Sequence, residues 1–82
     1  MKGEALMPSA FIFINTETGF EDAVLEQLQI PSVKEAHLIY GMYDIIAKID
    51  AESVDSLKET ISVNVRHLDK VRSTLTLIVK EE

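Results

Sequence analysis

The chain has 82 residues, 46% of them hydrophobic but only 6% aromatic, with no cysteine and a formal net charge of −6. That is room for one domain with a small aliphatic core, which buries about 60 to 65% of its unfolded surface when it folds alone and so gains from a partner. The lack of cysteine excludes disulfides, thiolate metal sites and thiol catalysis, and the acidic balance argues against direct nucleic-acid binding, which needs clustered Lys and Arg.

Residues 1–8 mix charge, glycine and proline without period and read as an N-terminal tail. The segment SAFIFIN, residues 9–15, is short, almost continuously apolar and rich in β-formers, the pattern of a central strand covered on both faces. Its wholly apolar run, residues 10–14, is far shorter than the ~20 residues a membrane span requires. No signal-peptide pattern precedes it, so a cytoplasmic protein without a membrane partner is expected.

Turn chemistry follows at Asn15-Thr16-Glu17-Thr18-Gly19, and then Phe20, Val24, Leu25 and Leu28 recur at helical spacing. The spacing predicts a helix over residues 20–29, stopping before Pro31, with Glu21 and Asp22 at the positive end of its dipole. Residues 33–40 are polar enough for an edge strand. Gly41 then marks a hairpin turn, and residues 43–50 form a second central strand with Lys48 the only charge inside it. Ser53 is a good N-cap for a second helix over residues 54–67, whose apolar face carries Val54, Leu57, Ile61, Val65 and Leu68. Residues 70–79 close the domain as a strand, with Arg72, Thr74 and Thr76 on one face and Val71, Ser73, Leu75, Leu77 and Val79 on the other. The domain should thus span residues 9–80, and Glu81 and Glu82 are a solvated end.

The two halves echo each other: residues 30–36 (IPSVKEA) and 68–74 (LDKVRST) share an apolar residue, two spacers, valine, a base and a small residue at the seventh place. Two such units in the order βαββαβ make a ferredoxin-like α+β sandwich, a four-stranded antiparallel sheet with both helices on one face. Its central strands are the first and third, the two most apolar here. They are apolar on both faces, with Phe11 and Phe13 against Ile12 and Ile14, and Ile46 against Ile45, Ala47 and Ile49. Helices cover one face only, so a dimer formed sheet to sheet is expected. Periodicity leaves open which phase faces the helices.

Little in the sequence carries catalysis. His37 and His67 have no acid at a spacing that makes a dyad. Asp50, Glu52 and Asp55 flank a helix start, where acids are expected without a metal. Three glycines supply no phosphate loop, and the basic group Arg66, His67, Lys70 and Arg72 is accounted for by a helix C-terminus. No catalytic residue, metal or cofactor is assigned, and the chain reads as a non-enzyme. The turn is the exception: Gly41 serves backbone geometry, but Met42 and Tyr43 are unusual at a tip and Asp44 is an anionic acceptor suited to ammonium or backbone N–H groups.

Gly41-Met42-Tyr43-Asp44, the Ile-Ile-Ala-Lys-Ile strand after it, Ser53-Val54-x-x-Leu57, and Val71-x-Ser73-Thr74-x-Thr76 together resemble the effector-binding (RAM, regulation of amino acid metabolism) domain of the Lrp/AsnC feast/famine regulators. The resemblance spans essentially the whole folded part. It implies an amino-acid effector bound between subunits, self-assembly into dimers and then rings, commonly octamers, and a role in transcription regulation. In that family a separate N-terminal helix-turn-helix binds DNA. With at most eight residues before the first strand, the chain resembles the stand-alone form, which implies either amino-acid sensing by itself or co-assembly with full-length Lrp/AsnC regulators. By the same resemblance Gly41, Tyr43 and Asp44 line the amino-acid pocket, Met42 sits at its variable position, and Thr74 and Thr76 are the hydroxyl-bearing strand near it. The sequence departs from the family's frequent Pro-Gly before valine, having Leu68-Asp69-Lys70 there. Two other readings share the topology: an ACT-like sensor, with its ligand at Thr18-Gly19, and a small dimeric α+β barrel enzyme using a buried His37 or acid.

Overall fold

The computed structural model describes residues 7–80. The tail residues at 1–6 and 81–82 therefore lie outside the described residues. The elements follow in the order β1 (Ser9–Thr16), α1 (Glu21–Gln27), β2 (Val33–Leu38), β3 (Ile45–Asp50), α2 (Val54–Asn64) and β4 (Val71–Ile78). The sheet order is β2-β3-β1-β4, and all three pairings are antiparallel. This is the ferredoxin-like α+β sandwich, with the first and third strands at its centre.

The central strands alternate strictly. Ala10, Ile12 and Ile14 of β1 and Ile45, Ala47 and Ile49 of β3 are buried. All but Ala47 join one core with Val24 of α1, its C-cap Leu28, and Leu57, Ile61 and Val65 from the α2 region. Phe11, Phe13, Ile46 and Lys48 point to the other, open face, because successive strand residues alternate sides. The central strands thus present Ile12, Ile14, Ile45 and Ile49 to the helices and Phe11, Phe13 and Ile46 outward.

Both echoed segments fold alike. The Val33 N–H donates to Ile30 O at 3.0 Å, and the Val71 N–H donates to Leu68 O at 3.4 Å. Each apolar-x-x-Val stretch is therefore the same three-residue step into a strand. In the second, Lys70 takes φ +72, the left-handed conformation in which glycine carries no side-chain penalty. Lys70 is held there by neighbours: its carbonyl accepts from the Glu17 N–H at 2.8 Å, and its Nζ lies 4.6 Å from the Phe20 ring centre.

Four expectations are corrected. The β2–β3 connection is not a tight turn after a strand reaching Tyr40. It runs from Ile39 to Asp44, closed by the Ile39 N–H donating to Asp44 O at 2.9 Å. Helix α1 covers only Glu21–Gln27, with Phe20 as an N-cap lacking a side-chain cap bond. Helix α2 is capped at Ser53 as expected, its side chain accepting from the Ser56 N–H at 3.0 Å, but it ends at Asn64. Arg66 and His67 therefore lie beyond it, and its last turn carries no basic residue, so the dipole does not account for the basic group. In β4, Asn15 is opposite Ser73 but Thr16 is opposite Val71, which leaves Arg72 as an extra, bulged residue. The bulge turns Val71 to the core and separates Arg72 from Thr74 and Thr76.

Candidate functional site: two clefts meeting at Asp44

The end of the sheet where β1 stops and β3 begins carries the groups of interest. Asp44 is fixed by three hydrogen bonds. Its N–H donates to Ile14 O at 2.9 Å, its carbonyl accepts from Ile39, and its Oδ2 accepts from the Thr16 N–H at 2.9 Å. The Thr16 hydroxyl adds a longer contact of 3.4 Å to the same oxygen. Thr16 is the one buried polar residue among those described, 4% exposed, and its N–H, which faces the β3 side, lies beyond the β1–β3 pairing that ends at Ile14 opposite Ile45. Asp44 satisfies that donor, so its carboxylate has a structural task before any ligand arrives.

Two open clefts flank Asp44. One, of about 450 Å³, is lined by Leu38, Ile39 and Tyr40 together with Glu21, Asp22 and Asp44. The other, of about 440 Å³, is lined by Asn15, Thr16, Thr18, Met42, Arg72 and Ser73, again with Glu21 and Asp44. Glu21 and Asp44 belong to both. The first cleft has an aliphatic and aromatic wall, and the second is built of hydroxyls, an amide and an arginine. Both volumes fall in the range of sites for small molecules. Among the described residues no group of three or more potential ligands could hold a metal ion.

The residues singled out in sequence are distributed unevenly around these clefts. Asp44 lines both, and Met42, 87% exposed, lines the second. Gly41 has φ +128 and open space around it, so its contribution is the backbone path of the loop. Tyr43 leans away onto the open sheet face, its ring 5.5 Å from that of Phe13. Thr74 and Thr76 pair with Ile14 and Ile12 on the helix-facing side and line neither cleft. The Thr76 hydroxyl is buried without a hydrogen-bond partner among the described residues.

Glu21, Arg72 and Ser73 line the clefts, although no local sequence pattern marks them as site residues. Glu21 was absorbed by the helix dipole and Arg72 by the basic group, and only the bulge, a three-dimensional feature, re-aims Arg72. Thr18 lines the second cleft beside Met42 and Asp44, so the first loop and the hairpin loop contribute to one site. His37 is exposed, its side chain 62% accessible and its Nε2 3.2 Å from Glu35 Oε1, which removes it as a group buried in a barrel. No helix of the described residues is long and apolar enough to cross a membrane.

Comparison with known proteins agrees with this architecture. The family model for the Lrp/AsnC ligand binding domain matches residues 9–82. The regulatory protein AsnC of Escherichia coli is 28% identical over 68 residues, covering 83% of this chain and 45% of its own length. Its structure superimposes with a TM-score of 0.83 over 92% of this chain and 52% of that one. The crystal structure of a hypothetical protein from Pyrococcus horikoshii is similar throughout, with a TM-score of 0.86, 36% identity and 93% of each chain covered. A homocitrate synthase of Sulfurisphaera tokodaii is 39% identical over 72 residues, 85% of this chain but 15% of that enzyme. The chain spans about half the length or less of these curated relatives. With a family model over nearly its whole length and a regulator of the same fold, the chain belongs to the Lrp/AsnC ligand-binding domain family, a domain of transcription regulators.

Proposed function

We propose that the chain is an amino-acid-sensing and assembly module whose ligand occupies the clefts around Asp44. The observation that carries this reading is that two small-molecule-sized clefts, one with an apolar wall and one polar, share Glu21 and Asp44 at their junction. Both are open, so a neighbouring subunit would close them over a ligand. Gly41 and Tyr43 then act on the site through the loop that carries Met42 and Asp44, and Thr74 and Thr76 through the strand that carries Arg72 and Ser73.

Assembly is supported by β4. Its helix-facing side bears Thr74 and Thr76, while its open side bears Leu75 and Leu77, which are 42% and 50% exposed beside Phe11 and Phe13. A strand in a free-standing monomer would turn its leucines inward. This inverted partition favours a second copy covering the open face, giving a dimer packed sheet to sheet. Higher rings, such as octamers, would bring the clefts of neighbouring dimers together.

The mechanism is linkage: a ligand held between subunits stabilises whichever assembly completes its pocket, so effector concentration becomes oligomeric state. Co-assembly with a full-length regulator would pass that state to DNA binding. The homocitrate synthase match favours a second partner class, a biosynthetic enzyme carrying or recruiting the same module. Isothermal calorimetry against the twenty amino acids, paired with light scattering with and without each, tests the sensor reading. At least one should bind and shift the assembly; heat-silent titrations with all twenty would overturn it. A monomer at micromolar concentration would overturn the dimer.

A further inference from the structure

Resting on the amino-acid reading just given, we infer that Arg72 is the carboxylate anchor of the site and that it orients the ligand, pointing an apolar side chain at Leu38, Ile39 and Tyr40. The bulge between Asn15 and Thr16 makes Arg72 the one β4 residue with no partner across β1. Bulges re-aim side chains, and this one gives Arg72 to the polar cleft instead of to either sheet face. Among the described residues Arg72 has no carboxylate within ion-pair distance.

The charges are arranged as a zwitterion needs. Arg72 comes from β4 and Asp44 is the residue that leads into β3, and β1 lies between those strands. At a strand spacing of about 4.8 Å their backbones stand roughly 10 Å apart across the end of β1, a gap that an arginine and a small charged ligand together fill. A planar guanidinium offers two parallel N–H donors to a carboxylate. At the other end Glu21 and Asp44 offer acceptors to an ammonium group. They are also the residues shared with the apolar cleft, so a ligand whose α-carbon sits beside them has its third substituent directed to Leu38, Ile39 and Tyr40. An α-amino acid with an aliphatic or thioether side chain fits all three contacts. A dicarboxylic amino acid would instead set its side-chain carboxylate beside Asp22.

The probes are L-leucine and L-methionine with their α-amides, which keep the ammonium and side chain but lose the carboxylate charge. Calorimetry on the full chain should show the acids binding about 10- to 100-fold tighter than the amides, the value of a charge-assisted bidentate contact. In Arg72→Gln, acid and amide should bind within about threefold of each other, with the acid falling to the level of the amide. Arg72→Lys should fall between. Thermal unfolding of both variants should match the parent, since the Arg72 side chain is exposed. If Arg72→Gln keeps the parental preference for acid over amide, the anchor is elsewhere and only this inference falls. If charged amino acids bind and neither leucine nor methionine does, the orientation is wrong. If none of the twenty amino acids binds, the sensor reading fails and takes this one with it.

Discussion

Replacing Asp44 with alanine should destabilise the fold as well as the site. In the parent the Asp44 carboxylate accepts the Thr16 N–H at 2.9 Å, and Thr16 is 4% exposed. The substitution leaves that N–H buried with no acceptor. An unsatisfied buried donor costs about 1 to 3 kcal/mol, and the bond it loses is to an ionised group, at the upper end of the hydrogen-bond range. About 2 kcal/mol is the expected loss, equal to a fall of roughly 8 to 16 °C in Tm for a domain of this size. Asp44→Asn keeps an acceptor oxygen in place and should lose less than half as much. Thr16→Val removes the hydroxyl contacts to Glu17 O at 3.2 Å and Asp44 Oδ2 at 3.4 Å, keeps the N–H bond, and should cost about 1 kcal/mol. All three are measured by urea unfolding followed by circular dichroism, at one fixed protein concentration because an assembling chain has concentration-dependent stability. An Asp44→Ala midpoint equal to the parental one would refute the strut role, and any loss of ligand affinity in that variant would then be direct.

Other outcomes follow from single contacts. Lys70→Gly relieves the φ of +72 but loses the Phe20 ring contact, whereas Lys70→Ala loses the contact and keeps the strain; the glycine variant should be the more stable by about 1 kcal/mol in chemical denaturation. Ser53→Ala removes the cap on the Ser56 N–H and should cost about 1 kcal/mol by the same measurement, with the far-ultraviolet helix signal falling first on heating. Leu77→Glu places a charge on the open face and should turn the proposed sheet-to-sheet dimer into a monomer in analytical ultracentrifugation; an unchanged sedimentation coefficient would remove that face from the interface.

The order of elements, the central strands and the Ser53 cap were legible because each rests on local chemistry: continuous apolar runs, a helical stripe, an N-cap hydroxyl. The Gly41–Asp44 stretch also stands out, since a tip bearing Tyr and Asp breaks the usual turn pattern, and the structure sets its Met42 and Asp44 on the clefts. What the sequence hid was tertiary. The bulge at Arg72 shifts the β4 alternation by one, so the grouping of Arg72 with Thr74 and Thr76 is undone by pairing with β1. Glu21 has a local explanation in the helix dipole, the one offered for Arg72 is overturned by the structure, and nothing local shows that both reach the same cleft as Asp44. The departure at Lys70 is visible in sequence, but not that it occupies a left-handed backbone position that its neighbours must hold.

The bulge also bears on how the chain reaches its native pairing. A slip of β4 by one residue along β1 would erase the bulge and swap its faces, sending Leu75 and Leu77 inward and Thr74 and Thr76 outward. For a lone protomer that slip hides two leucines and frees the unpartnered Thr76 hydroxyl to meet water. The sheet-to-sheet dimer proposed above, by covering the open face, would reverse that preference. Strand register and subunit association are then one decision, and β4 amides should exchange with solvent faster as the protein is diluted toward the monomer.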